Sequence, residues 1–310
     1  ALNTAVAGLT INKDGSASFD ASNVAYQNLA AGETRTLTTS YTVTDDKGAT
    51  STAPITITVT GVNDAPVAKN LALTLAEDAK QSGSIVATDV DNGATLTYAL
   101  TTPVAGLSIA GNGGFTFDAS NAAYQNLAQG KSREVVATYS VTDDKSAVAT
   151  ATFTFTVTGV NDAPVAVSAS SKVNEDSQVT GQLVATDVDE GAVLTFALDA
   201  PVAGLTLNKD GSYALDASNS AYQSIAQGEV RNVVANVTVT DNFGATSKAS
   251  LTIAVTGLND APVAQAATNK ATEDASVTGQ LVATDVDAGA VLSYALDAPV
   301  AGLTINKDGS

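Results

Sequence analysis

The chain has 310 residues, a formal charge of −18 at pH 7 with only 14 Lys plus Arg, and no His, Cys, Met or Trp. So acidic a chain lacks the basic face that a nucleic acid or an anionic membrane requires, and the missing residue types rule out a disulfide scaffold and any Ser–His or Cys–His nucleophile pair. No apolar run reaches the roughly 18 residues of a spanning helix, and Ala1 opens no charged region followed by an apolar one.

The text at 61–68, GVNDAPVA, returns at 159–166 and, with Leu258 for Val, at 257–264, an interval of 98 residues. Asp89, Asp187 and Asp285 keep that register, as do Gly8, Gly106, Gly204 and Gly302, and Arg35, Arg133 and Arg231. A period near 100 residues means sandwich-sized domains in tandem, since solenoid units run to about 20–50. The predicted domains are 1–64, the later part of a repeat; 65–162 and 163–260, complete repeats; and 261–310, the first part of another. Because Ala1–Ser16 nearly repeats Ala295–Ser310, the chain reads as an excerpt of a longer array. The partial repeats at its ends are expected to associate head to tail with other copies.

In the repeat 163–260, strands are predicted at 179–186, 194–198, 205–207, 213–215, 233–240 and 251–256, short runs rich in Val, Leu, Ile and Thr between Gly, Asn and Asp clusters. Asn208-Lys209-Asp210-Gly211 predicts a hairpin turn, with Gly111-Asn112-Gly113-Gly114 in its place one repeat earlier. The stretch Asp216–Gly228 carries capping residues and a terminal Gly, which predict a helix of one or two turns whose Tyr222 and Ile225 seal the core. Ile55, Ile57 and Val59 alternate with Thr56, Thr58 and Thr60, so the last strand has one apolar and one polar face. These Thr rows read as the outward side of a half-exposed strand, in preference to an ice or carbohydrate surface. Arg133 and Arg231 are expected to pair with surface carboxylates. The sum is an all-β fold of β-sandwich modules in tandem.

Pro66, Pro164 and Pro262 stiffen each junction. In the complete repeat the junction Asn-Asp, the Asp187-Val188-Asp189 loop, the Glu175-Asp176 pair and Asp241 place oxygen donors at set points, the pattern of a hard cation. As an EF-hand loop the stretch from Asp187 fails, because the third acidic position and the distal Glu are not in place. Paired carboxylates could in principle hydrolyse glycosides, but the chain is 5% aromatic, with those residues at core phases, and offers no aromatic platform. No enzymatic activity is expected.

Taken together, GVNDAPVA, the 175–198 text EDSQVTGQLVATDVDEGAVLTFAL, the 201–223 hairpin region and VTDNFGATSKASLTIAVTG at 239–257 resemble bacterial cadherin-like modules, in particular the VCBS-type repeats of large secreted RTX-type adhesins. The resemblance covers the whole chain. It implies seven-stranded or similar Ig-like Greek-key sandwiches in an extended rod, type I secretion, an extracellular place on the bacterial surface, a role in attachment and biofilm formation, and Ca²⁺ at the junctions. Carried over residue by residue, it implies Glu77, Asn161, Asp162, Asp187, Asp189 and Asp241 as ligands at the second junction. At the first it implies Asn63, Asp64, Asp89, Asp91 and Asp143, and at the third Glu175, Asn259, Asp260, Asp285 and Asp287. Gly61, Gly159 and Gly257 stand where animal cadherins place the first linker Asp, and Asp118–Asn121 lacks their middle Glu, which implies one or two ions per junction and not three. The function implied is a non-catalytic stalk whose partners are calcium ions and neighbouring repeats. The alternative is a carbohydrate-binding or homophilic adhesion module, which variable aromatic loops would favour.

Overall fold

Alternating apolar and polar residues build the structure strand by strand; in the computed structural model, which describes residues 1–310, every regular element is a strand. Two compact units divide the chain, Ala1–Val160 and Asn161–Ser310.

In the first unit, Thr34–Thr44 and Thr50–Thr60 form an antiparallel hairpin, and Leu9–Ile11 pairs with Ala17–Phe19. After them comes a two-sheet sandwich. One sheet runs Leu71–Ala76, Val148–Thr158, Ser132–Thr142, Thr97–Leu100, and the other Lys80–Ser84, Gly114–Asp118, Leu107–Ile109. Leu71–Ala76 lies parallel to Val148–Thr158, while the other pairings are antiparallel. The inward faces supply Phe115, Phe117, Tyr139, Phe153 and Phe155. Phe117 stacks on Phe155 with centroids 4.1 Å apart, and Phe155 on Phe153 at 5.3 Å.

The second unit repeats this sandwich with the strands Ala169–Asn174, Thr246–Thr256, Val230–Thr240 and Thr195–Leu198 against Gln178–Gln182, Ser212–Asp216 and Leu205–Leu207. Its core replaces the Phe cluster with Tyr213, Leu215, Leu251 and Ile253. Val165–Val167 pairs with Val184–Thr186, and Val263–Ala264 with Ala283–Thr284.

The hairpin turn predicted at Asn208–Gly211 is present: Gly211 has φ +86° and its N–H donates to the Asn208 carbonyl. The helix expected over Asp216–Gly228 is not. Asn219, Tyr222 and Ile225 each donate to the carbonyl three residues back, giving successive turns. The physical cause is local competition: Asp216 Oδ1 accepts the Ser218 N–H and hydroxyl, and Asn219 Oδ1 the Ala221 N–H, so side chains satisfy groups a helix would use. Tyr222 and Ile225 nevertheless lie in the core, and the Tyr222 hydroxyl donates to the Ala203 carbonyl. Arg133 and Arg231 also depart from expectation, because they donate to the carbonyls of Ala123 and Ala221 in this same turn segment. The surface carboxylates of Asp118 and Asp199 instead take Lys80 and Lys248. The in-phase Gly204 is required here, since it has φ +70° and a Cβ would stand 2.4 Å from the Asp216 carbonyl oxygen.

Phe155 is fully buried and touches rings on two sides. Phe155→Ala is expected to destabilise its sandwich by about 3–5 kcal/mol, measured as an earlier denaturant transition, whereas Thr154→Ala on the outward face should shift it by no more than about 0.5 kcal/mol.

Candidate functional site

The parallel strand pair sets the site. In the second unit, Ala169–Asn174 runs beside Thr246–Thr256 to its end, so Glu175 arrives where the chain leaves the sandwich. The Glu175 N–H donates to the Thr256 carbonyl (2.8 Å), and the Leu258 N–H returns a bond to Glu175 Oε2 (2.9 Å). Glu77 holds the same station in the first unit, where its N–H meets Thr158 O and its carboxylate accepts the Val160 N–H.

Beyond each exit, the Asn-Asp linker is tied to the following Asp-Val-Asp loop. In the first unit Asp64 N–H donates to Asp91 Oδ2 (3.0 Å) and Asp91 N–H to Asp89 Oδ1 (2.9 Å). In the second unit Asp162 N–H donates to Asp189 Oδ2 (3.1 Å) and Asp189 N–H to Asp187 Oδ1 (3.0 Å). The pattern recurs with Asp260, Asp287 and Asp285 at 3.0 and 2.9 Å. Asn63 and Asn161 donate through Nδ2 to Asp143 Oδ2 and Asp241 Oδ2, each at 2.8 Å, and Asn63 and Asn259 also donate to the carbonyls of Asp64 and Asp260.

At the first junction Asn63, Asp64, Asp89, Asp91 and Asp143 thus form one hydrogen-bonded group, and at the second, hydrogen bonds join Asn161 to Asp241 and Asp162 through Asp189 to Asp187. Carboxylate oxygens of Glu175, Asp260 and Asp287 lie within 4.8 Å of one another. Glu175 Oε1, Asp260 Oδ2 and Asp287 Oδ1 are buried without a hydrogen-bond partner, as are Asp89 Oδ2, Asp91 Oδ1, Asn161 Oδ1, Asp187 Oδ2 and Asp189 Oδ1. The chain's ion pairs are elsewhere, at its surface.

Crowded carboxylates without a countercharge resist ionisation. Burial pushes the Glu175 carboxyl up, helped by the charges of Asp260, Asp176 and Asp287 and opposed by the Leu258 N–H. Burial likewise raises Asp189, with Asp187 and Asp241 adding to it, and raises Asp260, with Asp176, Asp287 and Asp285 adding. Asp143 is held low, chiefly by the Asn63 amide. At Asp241 burial opposes ionisation, but the Asn161 amide and the N–H groups of Phe243, Ala245 and Gly244 outweigh it and hold the carboxyl low. Buried acceptor oxygens with no donors, in a chain with no His or Cys, fit a hard cation with oxygen ligands.

The backbone donors that fix Glu77 and Glu175 have no signature in the sequence. Nor has a contact between the turn segment and the next Asp-Val-Asp loop: Asn92 N–H donates to Asn28 O (3.0 Å), and Ala288 N–H to Ser224 O (3.2 Å).

The raised carboxyls set a pH dependence. Where a folded pKa exceeds the unfolded one, the native state binds the extra proton, so stability falls as pH rises through that window. Asp143 and Asp241, held low, act oppositely: their contribution is present above the ordinary carboxylate range and lost as pH falls through their own pKa. In chelator, the melting temperature is expected to be higher at about pH 5 than at pH 7 and to fall again below about pH 4; a temperature that rises from pH 5 to 7 contradicts the crowding.

The profile of the bacterial cadherin-like domain matches residues 63–159 and 161–257. Among solved structures, the protocadherin gammaB4 extracellular domain is 19% identical with a TM-score of 0.54, covering 97% of this chain and 52% of that one. Human CDH23 EC21–23 is 19% identical with a TM-score of 0.50, covering 77% of this chain and 90% of its own length. This chain spans about half of the gammaB4 structure, and the likeness carries the fold. A comparison with curated protein sequences finds no match. With two consecutive copies of the profile over more than half of its length, the chain belongs to the bacterial cadherin-like domain family.

Proposed function

We propose that the chain is a non-catalytic extender region of a large bacterial cell-surface adhesin, serving attachment and biofilm formation and stiffened by Ca²⁺ at the junctions of its repeats. The repeats are divided at 64, 162 and 260, so that 65–162 and 163–260 are complete and 1–64 and 261–310 are parts of two more. Membership in a family of cadherin-like, adhesion-type extracellular repeats supports the class. The observation that carries the reading is the group of Glu175, Asp260 and Asp287, which bring one carboxylate oxygen each within 4.8 Å of the others and each hold a buried oxygen without a hydrogen-bond partner, with no positive side chain among them.

Glu175 comes from the end of the first strand of a sandwich, Asp260 from the linker and Asp287 from the loop beyond it. One divalent ion accepted by all three would fasten the linker and the following loop to the sandwich. Calcium suits such a site because it takes about 6–8 oxygens with flexible geometry, and Asp285 with the linker carbonyls offers further donors. Asp64, Asp89 and Asp91 would serve the first junction, and Asp162, Asp187 and Asp189 the second; Glu77 is the counterpart of Glu175 in the repeat register. A bound cation removes the mutual repulsion of the carboxylates, and it stabilises the folded state by mass action. Secretion by a type I route and a place outside the cell complete the proposal.

Calcium at about 100 times its dissociation constant is expected to add roughly 2.7 kcal/mol per site, seen as a higher melting temperature, and to narrow the distribution of end-to-end distances in small-angle scattering. Glu175→Gln should reduce the calcium-dependent gain while raising the melting temperature in chelator. Identical melting and scattering with chelator and with millimolar calcium would overturn the proposal.

A further inference from the structure

We infer that Asp143 and Asp241 are positioning residues: each clasps the amide nitrogen of a linker asparagine, Asn63 or Asn161, and so leaves the oxygen of that side chain as its free, ligand-competent end. The inference rests on the calcium reading for its consequence, but the clasp itself requires no metal.

The two aspartates differ from the other acidic residues of the junctions in how their oxygens are used. Asp187 Oδ2 and Asp189 Oδ1 are buried without partners, and so are Asp89 Oδ2 and Asp91 Oδ1. Both oxygens of Asp241 accept hydrogen bonds. Its Oδ1 accepts the N–H groups of Phe243, Gly244 and Ala245, at 2.8, 2.6 and 3.0 Å, and closes the turn between Val230–Thr240 and Thr246–Thr256. Its Oδ2 accepts Asn161 Nδ2 at 2.8 Å. Asp143 does the same in the other unit: Oδ1 accepts the Lys145 and Ala147 N–H groups, and Oδ2 accepts Asn63 Nδ2 at 2.8 Å. Both carboxylates are buried.

An ionised carboxylate only accepts, whereas an asparagine amide has one donating and one accepting end. Asp241 therefore fixes which end of Asn161 it meets: the NH₂ must face the carboxylate, and Oδ1 is the end left over. That oxygen is buried and unpartnered. An amide oxygen so held is a hard-cation donor. Without the clasp, the same side chain could turn its NH₂ toward the cation and repel it. Asp241 would thus act on the ion through Asn161, in the way that outer-shell partners orient metal ligands.

The test uses the full chain and four variants: Asp241→Asn, Asn161→Ala, Asp189→Asn, and the exchange Asn161→Asp with Asp241→Asn. Asp241→Asn keeps an oxygen for the turn but sets one NH₂ against another. The exchange restores a donor and an acceptor in reversed positions, keeps the net charge, and leaves an oxygen free at position 161. Calorimetric titration with calcium chloride is expected to give Asp241→Asn and Asn161→Ala the wild-type number of ions, with one site weakened about 10- to 100-fold. The exchange should return that affinity to within about threefold of wild type, a recovery that general loss of structure would not produce. Asp189→Asn should instead lose an ion from the count. In chelator, both single clasp variants should melt below the wild type, and the exchange should recover. If Asp241→Asn loses an ion from the count, or if the exchange fails to recover in either measurement, the positioning role is overturned. A wild type that takes up no calcium overturns the proposed function, while the melting comparison in chelator still decides the clasp.

Discussion

The parallel pairing of the first strand of each sandwich with the last is the constraint on which the junction chemistry depends. In an antiparallel hairpin the end of one strand lies beside the start of the other. Here Ala169–Asn174 and Thr246–Thr256 run the same way and finish together, Asn174 opposite Thr256. The residue after the first strand and the residues leaving the last are therefore neighbours, which is how a glutamate separated from the linker by 83 positions accepts the Leu258 N–H. A slip of one residue would turn Glu175 to the other face and orphan that donor. The register Phe153 to Leu71 through Thr158 to Ala76 does the same for Glu77.

Placing carboxylates this way works against stability in isolation. A buried charge without a partner carries a desolvation cost, and like charges at close range add to it. Glu175 is fully buried although it is one of the residue types least often found so. The surrounding sandwich can hold it because the cost is local, while the core is broad: Leu215, Leu251, Ile253 and Val255 are at or near zero exposure in the same repeat. Strain of this kind persists where the rest of the fold over-determines it, and its concentration at the two ends of the strand pair is what separates these acids from the many solvated ones of the chain. Asp210 and Asp216, by contrast, are held low by the hydroxyls and N–H groups of Ser212 and Ser218 and simply close turns.

The sequence discloses whatever is set by periodicity or by turn chemistry. The alternation Leu251, Ile253, Val255 against Thr252 and Thr256 locates a strand and its buried face, and Asn208–Gly211 locates a hairpin, because both depend on residues within a few positions. The strand Ala169–Asn174 escapes the same reading. Its inward residues are Ala169, Ser171 and Val173, too small and polar to alternate visibly, and it is a strand because the edge of Thr246–Thr256 supplies its partners. The turn segment Asp216–Gly228 misleads in the opposite sense, since capping residues that open helices also make successive turns when Asp, Ser and Asn follow one another. At the site, residue types and register identify which acids gather; which oxygen of each is engaged depends on backbone N–H groups that no spacing displays.

Glycine at the head of each linker follows from this packing. A Cβ on Gly257 would stand 2.1 Å from the Ile225 carbonyl oxygen and 2.4 Å from that of Ala226; on Gly159 it would meet Leu127 and Ala128 at 2.2 and 2.4 Å. The Gly257 N–H donates to Glu229 and its carbonyl accepts the Gly228 N–H, so the linker is pressed against the end of the turn segment. No side chain fits there, and therefore no carboxylate can stand at that position without moving backbone. The linker's polar side chains stand just beyond, at Asn161 and Asp162 or Asn259 and Asp260. The backbone contact that secures the chain as it leaves the sandwich thus also confines the linker's acidic side chains to the stretch that follows, beside the Asp-Val-Asp loop.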